Sequence, residues 1–495
     1  MRLASTAVHS LLMLLAGASA TLSFAPFNWP LFALVSVAAG YLLLHKSSSG
    51  FWSGLSYGSG FFGAGVSWVY VSIHYHGGMS VLAAGLMTLL FCVALALLFA
   101  LQFHLYKRLF PSPNLVGFAA IWIGFEWLRS WLLTGFPWLY LGYGWIDTPV
   151  ANLAPVGGIW LVSSVVVLLA LLVGTALQNR RPAPLIAALL IFVASSFVPL
   201  KPVDKQGRSI DVALIQPNIS QSLKWQQSHF AEHIQTLGEM SMEATDANWI
   251  IWPETAIPRL INTSFDVLTP WLTELEQRHQ ILVSGFPRQE WSEQAQRPIY
   301  LNSLGTLTGL PSIYDKQRLV PFGEYIPLEQ WLRGSIAFFN LPMSSFSLPS
   351  RPQSGLQIGD QQVAAAICYE IAYTQLVRAG VAANASVILT LSNDTWFEGS
   401  HAPAQHLQIA RMRALENHRW LIRATNNGLT AIVDPHGKVS ASIPDLSPGV
   451  LQSKIWPSRE QTLYQRYGSW PVLLIWGLAF AVALVHSRRQ RSLEH

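Results

Sequence analysis

The distribution of charge along the chain limits its fold more than any other feature. Residues 1–200 contain only seven of the 31 Lys and Arg residues and two of the 26 acidic residues. Apolar runs dominate this region, and 51% of the whole chain is hydrophobic. Membrane-spanning helices have this pattern, whereas average soluble domains do not. The first 200 residues are therefore predicted to form a membrane part.

Eight apolar segments predict about eight transmembrane helices. A bilayer core about 30 Å thick needs about 20 helical residues, so the second segment is short. The segments are 7–24, 31–45, 53–73, 80–106, 115–134, 158–178, 183–200 and 470–487. The predicted organisation is a seven-helix bundle over 1–200, a linker over 201–208, an extracytoplasmic domain over 209–457, and a C-terminal helix with a basic cytoplasmic tail over 458–495.

The loop charges predict the orientation of these helices. With a cytoplasmic N-terminus, the basic residues of the inside loops are Arg2, Lys46, Lys107, Arg108, Arg180, Arg181, Arg488, Arg489 and Arg491. The outside loops near 25–30, 74–79 and 135–157 contain no Lys or Arg. Because inside loops carry the excess of basic residues, residues 201–469 are predicted to lie outside the cytoplasm.

The first twenty residues, "MRLASTAVHSLLMLLAGASA", also resemble a signal peptide. Cleavage would leave the remaining topology unchanged, because an uncleaved first helix inserts in the same sense. We expect the segment to be retained, since a membrane protein with seven further spans does not need a removable signal.

Glu126 and Arg129 are ionisable residues inside an apolar segment. Such residues are costly at membrane depth unless they are paired or face a polar cavity. Three positions apart on a helix, they can form a structural ion pair. The alternative is contact with a lipid headgroup, and the sequence leaves both open.

After residue 208 the pattern changes to short strands interleaved with amphipathic helices. Strands are expected at "IDVALIQPNI", "ANWIIWPE", "QILVSGFP", "QVAAAIC", "SVILTLSND", "WLIRATNNG" and "TAIVDPHGK", and also near 298–308 and 309–316. Helices are expected over 223–246, 264–279 and 401–419. This alternation predicts a layered α/β domain of about 250 residues.

Three polar residues follow apolar runs in this domain: Glu254, Lys316 and Cys368. A thiol becomes a strong nucleophile when a base takes its proton or a cation stabilises the thiolate, and a carboxylate and an ammonium supply these functions. The ammonium and a backbone N–H, expected from Tyr369, would stabilise the oxyanion of an acyl transfer. Taken singly, such residues are more often solvated, on the surface or in the core.

The other cysteine, Cys92, lies in the apolar run "LLFCVALALL" and is expected to be a small buried hydrophobe. A disulfide with Cys368 is therefore not expected. No CxxC motif or Cys/His cluster has metal-ligand spacing, so no structural zinc site is predicted.

Three motifs, in this order, resemble the Glu-Lys-Cys triad of the nitrilase superfamily. They are "WPETAIP" with Glu254, "YDKQRLVPFGEYIP" with Lys316 and Glu324, and "ICYEIAY" with Cys368. With seven predicted helices before them and one after, they resemble the apolipoprotein N-acyltransferase family of bacterial inner-membrane enzymes. "FEWLRSWLLTGFPWLYLGY" and the sequence from "SNDTWFEGS" to "RATNNG" extend the resemblance over essentially the whole chain. It implies an αββα sandwich on the periplasmic side.

The resemblance also implies a two-step acyl transfer that needs no cofactor. Cys368 attacks the acyl ester of a phospholipid, typically phosphatidylethanolamine, and forms a thioester. The α-amine of a diacylglyceryl-cysteine at the N-terminus of an apolipoprotein then takes the acyl chain. In these roles Glu254 is the general base and acid, Lys316 stabilises the oxyanion, and Glu324 supports the triad.

Four further residues align with positions that the family uses around the substrate or the nucleophile. These residues are Trp225, Asn302, Tyr369 and Glu370. The alternative for Trp225 is ordinary packing, and for Asn302 it is a strand-end hydrogen bond.

The run "WLRGSIAFFNLPMSSFSLP", from Trp331 to Pro349, lies between the lysine and cysteine motifs. It carries Phe338, Phe339 and Phe346, and soluble domains seldom expose so apolar a loop. We predict a lid that dips into lipid and contacts the substrate. Ordinary core packing is the alternative.

Three other functions compete with lipid acyl transfer. A membrane-tethered amidase or nitrile hydrolase would use the same triad, but would not require seven preceding spans and an apolar loop. A transporter would need ionisable residues or broken helices that the segments hardly show. No basic patch with interleaved aromatic residues suggests a nucleic-acid partner. The expected partners are the phospholipid donor, the apolipoprotein acceptor and the membrane, and the expected state is a monomer.

Overall fold

The structure is a computed structural model, and it describes residues 2–294, 296–326, 345–351, 353 and 355–494. The chain divides into two compact units. The first unit comprises Met1–Tyr70, Val81–Leu200 and Thr462–His495. The second unit comprises Val71–Ser80 and Lys201–Gln461.

Helices dominate the first unit, and each of the eight predicted segments overlaps one. They are Arg2–Ser19, Leu31–Lys46, Gly50–Gly65, Val81–Leu109, Leu115–Arg129, Ala154–Asn179, Pro182–Ser196 and Trp470–Glu494. Within the described residues, four helical stretches are long and apolar enough to cross a membrane: Thr6–Ser23, Val81–Leu109, Pro149–Asn179 and Trp470–Gln490. The first unit therefore has the character of a membrane protein.

The prediction for segment 53–73 is wrong at its C-terminal end. The helix ends at Gly65, and a π-helical turn, Ser72–His76, follows in a stretch that belongs to the second unit. Polar and aromatic contacts hold this turn. The ring of His74 hydrogen-bonds to the carbonyl oxygen of Met79 at 2.6 Å, and the ring of His76 packs against Trp396 at 5.5 Å between centroids. These contacts cannot be predicted from hydropathy.

Two glycines allow the Arg2–Ser19 and Gly50–Gly65 helices to approach closely. A Cβ atom on Gly17 would lie 1.9 Å from the carbonyl oxygen of Tyr57, and one on Gly60 would lie 1.9 Å from that of Leu14. No larger residue fits at either position without separating the two helices. Small residues at helix contacts are characteristic of membrane proteins, where close backbone packing drives association.

Glu126 and Arg129 are both buried within the first unit. One carboxylate oxygen of Glu126 accepts hydrogen bonds from Trp122 Nε1 and from the backbone N–H of Leu141, each at 3.2 Å. The Arg129 guanidinium lies over the ring of Tyr140, 5.0 Å from its centroid. All of these contacts are made within the helical unit. A structural ion pair and contact with a lipid headgroup both stay predictions for the role of Glu126 and Arg129.

The second unit contains two six-stranded sheets. In chain order the strands are β1 Ile210–Gln216, β2 Trp249–Ile251, β3 Ile281–Ser292, β4 Arg297–Thr306, β5 Ile313–Asp315, β6 Leu356–Ile358, β7 Gln361–Ile367, β8 Val387–Ser392, β9 Leu421–Thr425, β10 Thr430–Val433, β11 Val439–Ile443 and β12 Gly449–Ile455. The first sheet has the order β12-β1-β2-β3-β4-β5 and the second β11-β10-β9-β8-β7-β6. β1, β2 and β3 are parallel, and so are β7, β8 and β9.

Two pairs of helices cover the sheets. The helices Phe230–Met242 and Phe265–Gln277 pack on the first sheet, and Thr374–Ala382 and Ala402–Asn417 pack on the second. A third apolar cluster, which includes residues of β1, β2, β7 and β8, fills the space between the sheets. The αββα sandwich is therefore confirmed. Its central strands are near-continuous apolar runs because both of their faces are buried.

Some predicted elements differ from the observed ones. The single helix expected over 223–246 is wrong, because a turn separates Gln221–Lys224 from Phe230–Met242. Strands β6, β11 and β12 and the helix Thr374–Ala382 were not predicted. β11 and β12 are each buried only at their last residue and contain Ser, Gln and Lys, so they lack the apolar runs of the central strands.

Candidate active site

Four polar residues follow the ends of strands in the two sheets. Glu254 follows β2 after two residues, Lys316 directly follows β5, Cys368 directly follows β7, and Asn393 directly follows β8. The first two belong to one sheet and the last two to the other. The site is therefore built from both layers of the sandwich.

The Glu254 carboxylate is buried and accepts hydrogen bonds at both oxygens. Oε1 accepts from Asn302 Nδ2 at 3.0 Å and from Lys316 Nζ at 3.4 Å. Oε2 accepts from the backbone N–H of Asn393 at 2.9 Å, which links the two sheets. Asn302 lies within β4 and not at its end, so its hydrogen bonds are not the strand-end bond that was the alternative for this residue.

Lys316 is only 1% exposed and lies between two carboxylates. Its Nζ donates to Glu324 Oε1 at 2.8 Å, and Asn302 Nδ2 donates to the same oxygen at 2.9 Å. Burial alone would lower the pKa of the lysine. The charges of Glu324 and Glu254 outweigh burial and raise that pKa above its usual value. Lys316 is therefore a permanent cation at neutral pH.

Cys368 has a left-handed backbone, with φ of 54°, which is uncommon for a residue with a Cβ atom. Its side chain is partly exposed. Burial of the sulfur, and next the Glu254 carboxylate, raise the pKa of the thiol to about 12, although Lys316 and the Ser392 hydroxyl act in the opposite direction. The resting thiol is protonated, so attack requires a base.

Glu370 is fully buried and connects the cysteine segment to the lysine segment. Its Oε2 accepts from the backbone N–H of Ile367 at 2.8 Å, and its Oε1 accepts from those of Gln317 and Arg318 at 2.6 and 3.0 Å. Burial raises the pKa of Glu370 to about 7, and the backbone donors oppose this rise. Next to it, the ring of Tyr369 packs edge-on against Tyr373.

Lys224 is a residue of the site that the sequence analysis missed. Its side chain is 4% exposed, and its Nζ donates to the carbonyl oxygen of Glu254 at 3.0 Å. Burial lowers its pKa to about 8, although Glu254 and Cys368 raise it. The neighbouring Trp225, which was predicted to contact substrate, is half-buried, and that role stays a prediction. In the motif "SLKWQQ" only the tryptophan has a role predicted from the sequence.

A second buried polar cluster, Asp394, His406 and Arg423, lies next to the nucleophile and was also missed. Ring nitrogen Nε2 of His406 is 3.1 Å from the carbonyl oxygen of Cys368, and Arg423 Nη2 donates to Asp394 Oδ2 at 2.5 Å. Arg423 lies in the strand "WLIRATNNG". A charged residue within an apolar strand is the sequence feature that could have indicated this cluster. Buried charges are almost always paired.

The predicted lid lies largely outside the described residues, which exclude Phe338 and Phe339. Phe346 is described and half-buried, and its backbone N–H donates to the carbonyl oxygen of Glu324 at 3.0 Å. Cys92 is buried, and both cysteines are free thiols. Within the part of the chain that the structure describes, no group of three His, Cys, Asp or Glu side chains is arranged to hold a metal ion.

Comparison with known proteins relates both parts of the chain to named families. The family model of the apolipoprotein N-acyltransferase N-terminal domain matches residues 16–172, and that of the carbon-nitrogen hydrolases matches residues 211–465. Among solved structures, Saccharomyces cerevisiae Nit3, a member of branch 10 of the nitrilase superfamily, is similar with a TM-score of 0.38 and 16% identity, and the match covers 52% of this chain and 93% of that chain.

Relatives with known names cover nearly the whole chain. A Pseudomonas syringae pv. tomato protein named apolipoprotein N-acyltransferase is 42% identical over 494 residues, which is 97% of each chain. A Vibrio vulnificus protein of the same name is 40% identical over 494 residues, which is 96% of each chain. The chain described here belongs to the apolipoprotein N-acyltransferase family.

Proposed function

We propose that this chain transfers a fatty acyl group from a phospholipid to the N-terminal amine of a diacylglyceryl-cysteine in apolipoproteins. One observation carries the proposal: the likeness to enzymes of that name extends over 97% of the chain, and so includes the apolar helices as well as the carbon-nitrogen hydrolase unit. A hydrolase of small amides would require only the second unit. Two lipid-anchored substrates explain why the apolar helices and the carbon-nitrogen hydrolase unit are joined in one chain.

In the first step the Cys368 thiol gives its proton to Glu254, and the sulfur attacks the ester carbonyl of the phospholipid. The thiol pKa of about 12 supports the need for a base, and the proposed base is Glu254, whose two carboxylate oxygens accept from three donors. Negative charge develops on the carbonyl oxygen, where Lys316 and the Tyr369 N–H would stabilise it. The C–O bond breaks, and Glu254 returns the proton to the departing lysophospholipid.

In the second step the α-amine of the lipoprotein attacks the thioester. Glu254 takes a proton from the nitrogen, a C–N bond forms, and the C–S bond breaks. The proton then returns to the Cys368 sulfur, so the cycle needs no oxidant, metal or cofactor. Glu324 supports both steps through its hydrogen bond with Lys316.

The membrane arrangement is part of the proposal. Eight helices span the bacterial inner membrane, the unit with Cys368 faces the periplasm, and phosphatidylethanolamine is the expected donor to a monomeric enzyme. The unequal distribution of Lys and Arg between alternate loops supports this orientation. The domain limits near residues 200 and 458 belong to the same proposal.

The thioester can be tested with the purified protein. Incubation with phosphatidylethanolamine should add the mass of one acyl chain, and neutral hydroxylamine should remove it. Cys92→Ala is the matched control, because it leaves Cys368 as the sole cysteine and should form the adduct normally. If Cys368→Ala retained the adduct, or if wild type formed it only in the presence of the peptide acceptor, the proposed mechanism would be wrong.

The acceptor distinguishes acyl transfer from hydrolysis. When a diacylglyceryl-cysteine peptide is added to the acylated enzyme, the acyl mass should move to the peptide amine. An amidase-type enzyme would release free fatty acid at the same rate with and without the peptide, which would refute the proposed transfer.

The orientation can be tested with a reporter that is active only in the periplasm. A fusion after Gln461 should be active, and a fusion after Arg491 should be silent. The opposite result would invert the topology and separate the thiol from lipoproteins, which would contradict the proposed acceptor.

A further inference from the structure

The carbonyl group of the nucleophile has a specific partner. His406 lies on the helix Ala402–Asn417, and its Nε2 is 3.1 Å from the carbonyl oxygen of Cys368. A carbonyl oxygen can only accept a hydrogen bond, so Nε2 carries the proton. This contact therefore assigns the tautomer of His406 whenever its ring is neutral.

The opposite ring nitrogen has two polar neighbours. Arg423 Nη2, a donor only, lies 3.1 Å from Nδ1, which can accept from it when Nε2 holds the single proton, and Asp394 Oδ1, an acceptor only, lies at the longer distance of 3.3 Å. With either neighbour, Nε2 keeps the proton that the Cys368 carbonyl oxygen requires. The same Nη2 donates to Asp394 Oδ2, and the Ser392 hydroxyl donates to Asp394 Oδ1 at 2.6 Å. Burial, and next the charge of Arg423, lower the pKa of His406, in agreement with a neutral ring.

These bonds form a directed chain. Asp394 fixes the Arg423 guanidinium, which donates to His406 Nδ1, and His406 Nε2–H donates to the Cys368 carbonyl. The peptide between Cys368 and Tyr369 is trans, so its C=O and N–H point in opposite directions. Holding the carbonyl on His406 therefore also fixes the direction of the Tyr369 N–H, away from the histidine.

We propose that His406 is a positioning residue that aims the Tyr369 N–H at the oxyanion formed during attack by Cys368. The inference rests on the thioester step of the proposed function. Cys368 has a positive φ, which an L-residue keeps only when its surroundings hold it there, and His406 supplies one such restraint. Donation to the C=O also polarises the peptide, which makes its N–H a stronger donor.

The test compares two reactions of the same thiol. Acylation by a small p-nitrophenyl ester passes through a tetrahedral oxyanion, whereas alkylation by iodoacetamide does not. His406→Leu removes the donor and should slow acylation by about 10- to 100-fold, less than the 10²- to 10³-fold typical of deleting an oxyanion donor, because the N–H is misdirected rather than lost. The loss should appear in kcat with KM nearly unchanged, and alkylation should change by less than about threefold.

Two polar variants separate the donor's position from general packing. His406→Gln extends an amide N–H to the place of Nε2 and should recover most of the acylation rate. His406→Asn carries its amide nearer to the place of Nδ1 and should stay slow. His233→Leu, which replaces another buried histidine on the helix Phe230–Met242, is the control and should leave the ratio of the two reactions unchanged.

The inference is overturned if acylation and alkylation fall together in His406→Leu, if acylation does not fall, or if the Gln and Asn variants are equally active. Should the Leu variant fail to fold, the Gln and Asn pair decides. The outcome is separable from the proposed function. If the small ester acylates Cys368 but phospholipid does not, the lipid function fails and the role of His406 can still be measured.

Discussion

Replacing Glu254 with Gln should make thioester formation depend on pH in a way that wild type does not. The amide keeps the shape of the side chain but cannot take the proton of Cys368. With a thiol pKa of about 12, the thiolate fraction at pH 8 is only about 10⁻⁴. The variant must rely on that fraction, so its acylation should be about 10² to 10⁴ times slower than that of wild type.

The sign of the pH effect follows from the same pKa. Raising the pH increases the thiolate fraction of the variant about tenfold per unit as long as the pH stays below the thiol pKa. Loss of the Glu254 charge lowers that pKa somewhat, but burial, its largest cause, remains. The logarithm of the variant's rate should therefore rise with a slope near one from pH 7 to about pH 10. Wild type should show no such rise.

The assay is single-turnover acylation by a p-nitrophenyl ester, measured by intact mass at pH 7, 8, 9 and 10. Glu239→Gln, on an exposed position of the helix Phe230–Met242, is the control and should behave as wild type. A flat profile of the Glu254 variant, or a rate near that of wild type, would mean that another group removes the proton. A loss that high pH does not relieve would indicate damage to the site and refute the assigned role.

Three further variants test the buried groups of the site. Burial lowers the pKa of Lys224 to about 8, so this lysine holds fewer protons in the native state than in the unfolded chain between that value and 10.5, and its contribution to stability rises with pH across this window. Lys224→Met should abolish this rise and increase Tm at pH 7, and a decrease would contradict the cost of the buried ammonium. Asn302→Leu removes two hydrogen bonds to carboxylates, each worth about 1.5–3 kcal/mol, and should lower Tm far more than Asn262→Leu on an exposed turn. Glu370→Gln sets an amide N–H among backbone donors and should lower both Tm and the acylation rate; an unchanged rate would show that this carboxylate does not hold the Cys368 segment.

The sequence was sufficient to locate residues that follow strands. Glu254, Lys316 and Cys368 stand after apolar runs in the sequence, and the order of their motifs resembles the triad of the family. These two signals predicted that the side chains would come together, and the structure joins Glu254, Lys316 and Glu324 by hydrogen bonds. The layered architecture was predictable for a related reason, because strands buried on both faces are recognisable as unbroken apolar runs.

The residues that were missed depend on contacts between distant parts of the chain. Lys224 and His406 are polar residues in segments of mixed composition, and such residues are usually on the surface. Only the packing of the 221–224 turn against Glu254, and of the Ala402–Asn417 helix against Cys368, makes them part of the site. Asn393 acts through its backbone N–H, so its side-chain type carries no signal at all.

The division of the site between two sheets has a consequence for reactivity. The Asn393 N–H, from the second sheet, binds Glu254 of the first, and Glu370, from the second, binds the backbone after Lys316 of the first. The carboxylates, the ammonium and the thiol therefore reach their positions only when the sandwich is closed. Burying these charges is costly, and the mutual hydrogen bonds offset that cost only in the assembled site. The same burial keeps the thiol protonated at rest, so the reactivity of Cys368 depends on a base that can take its proton.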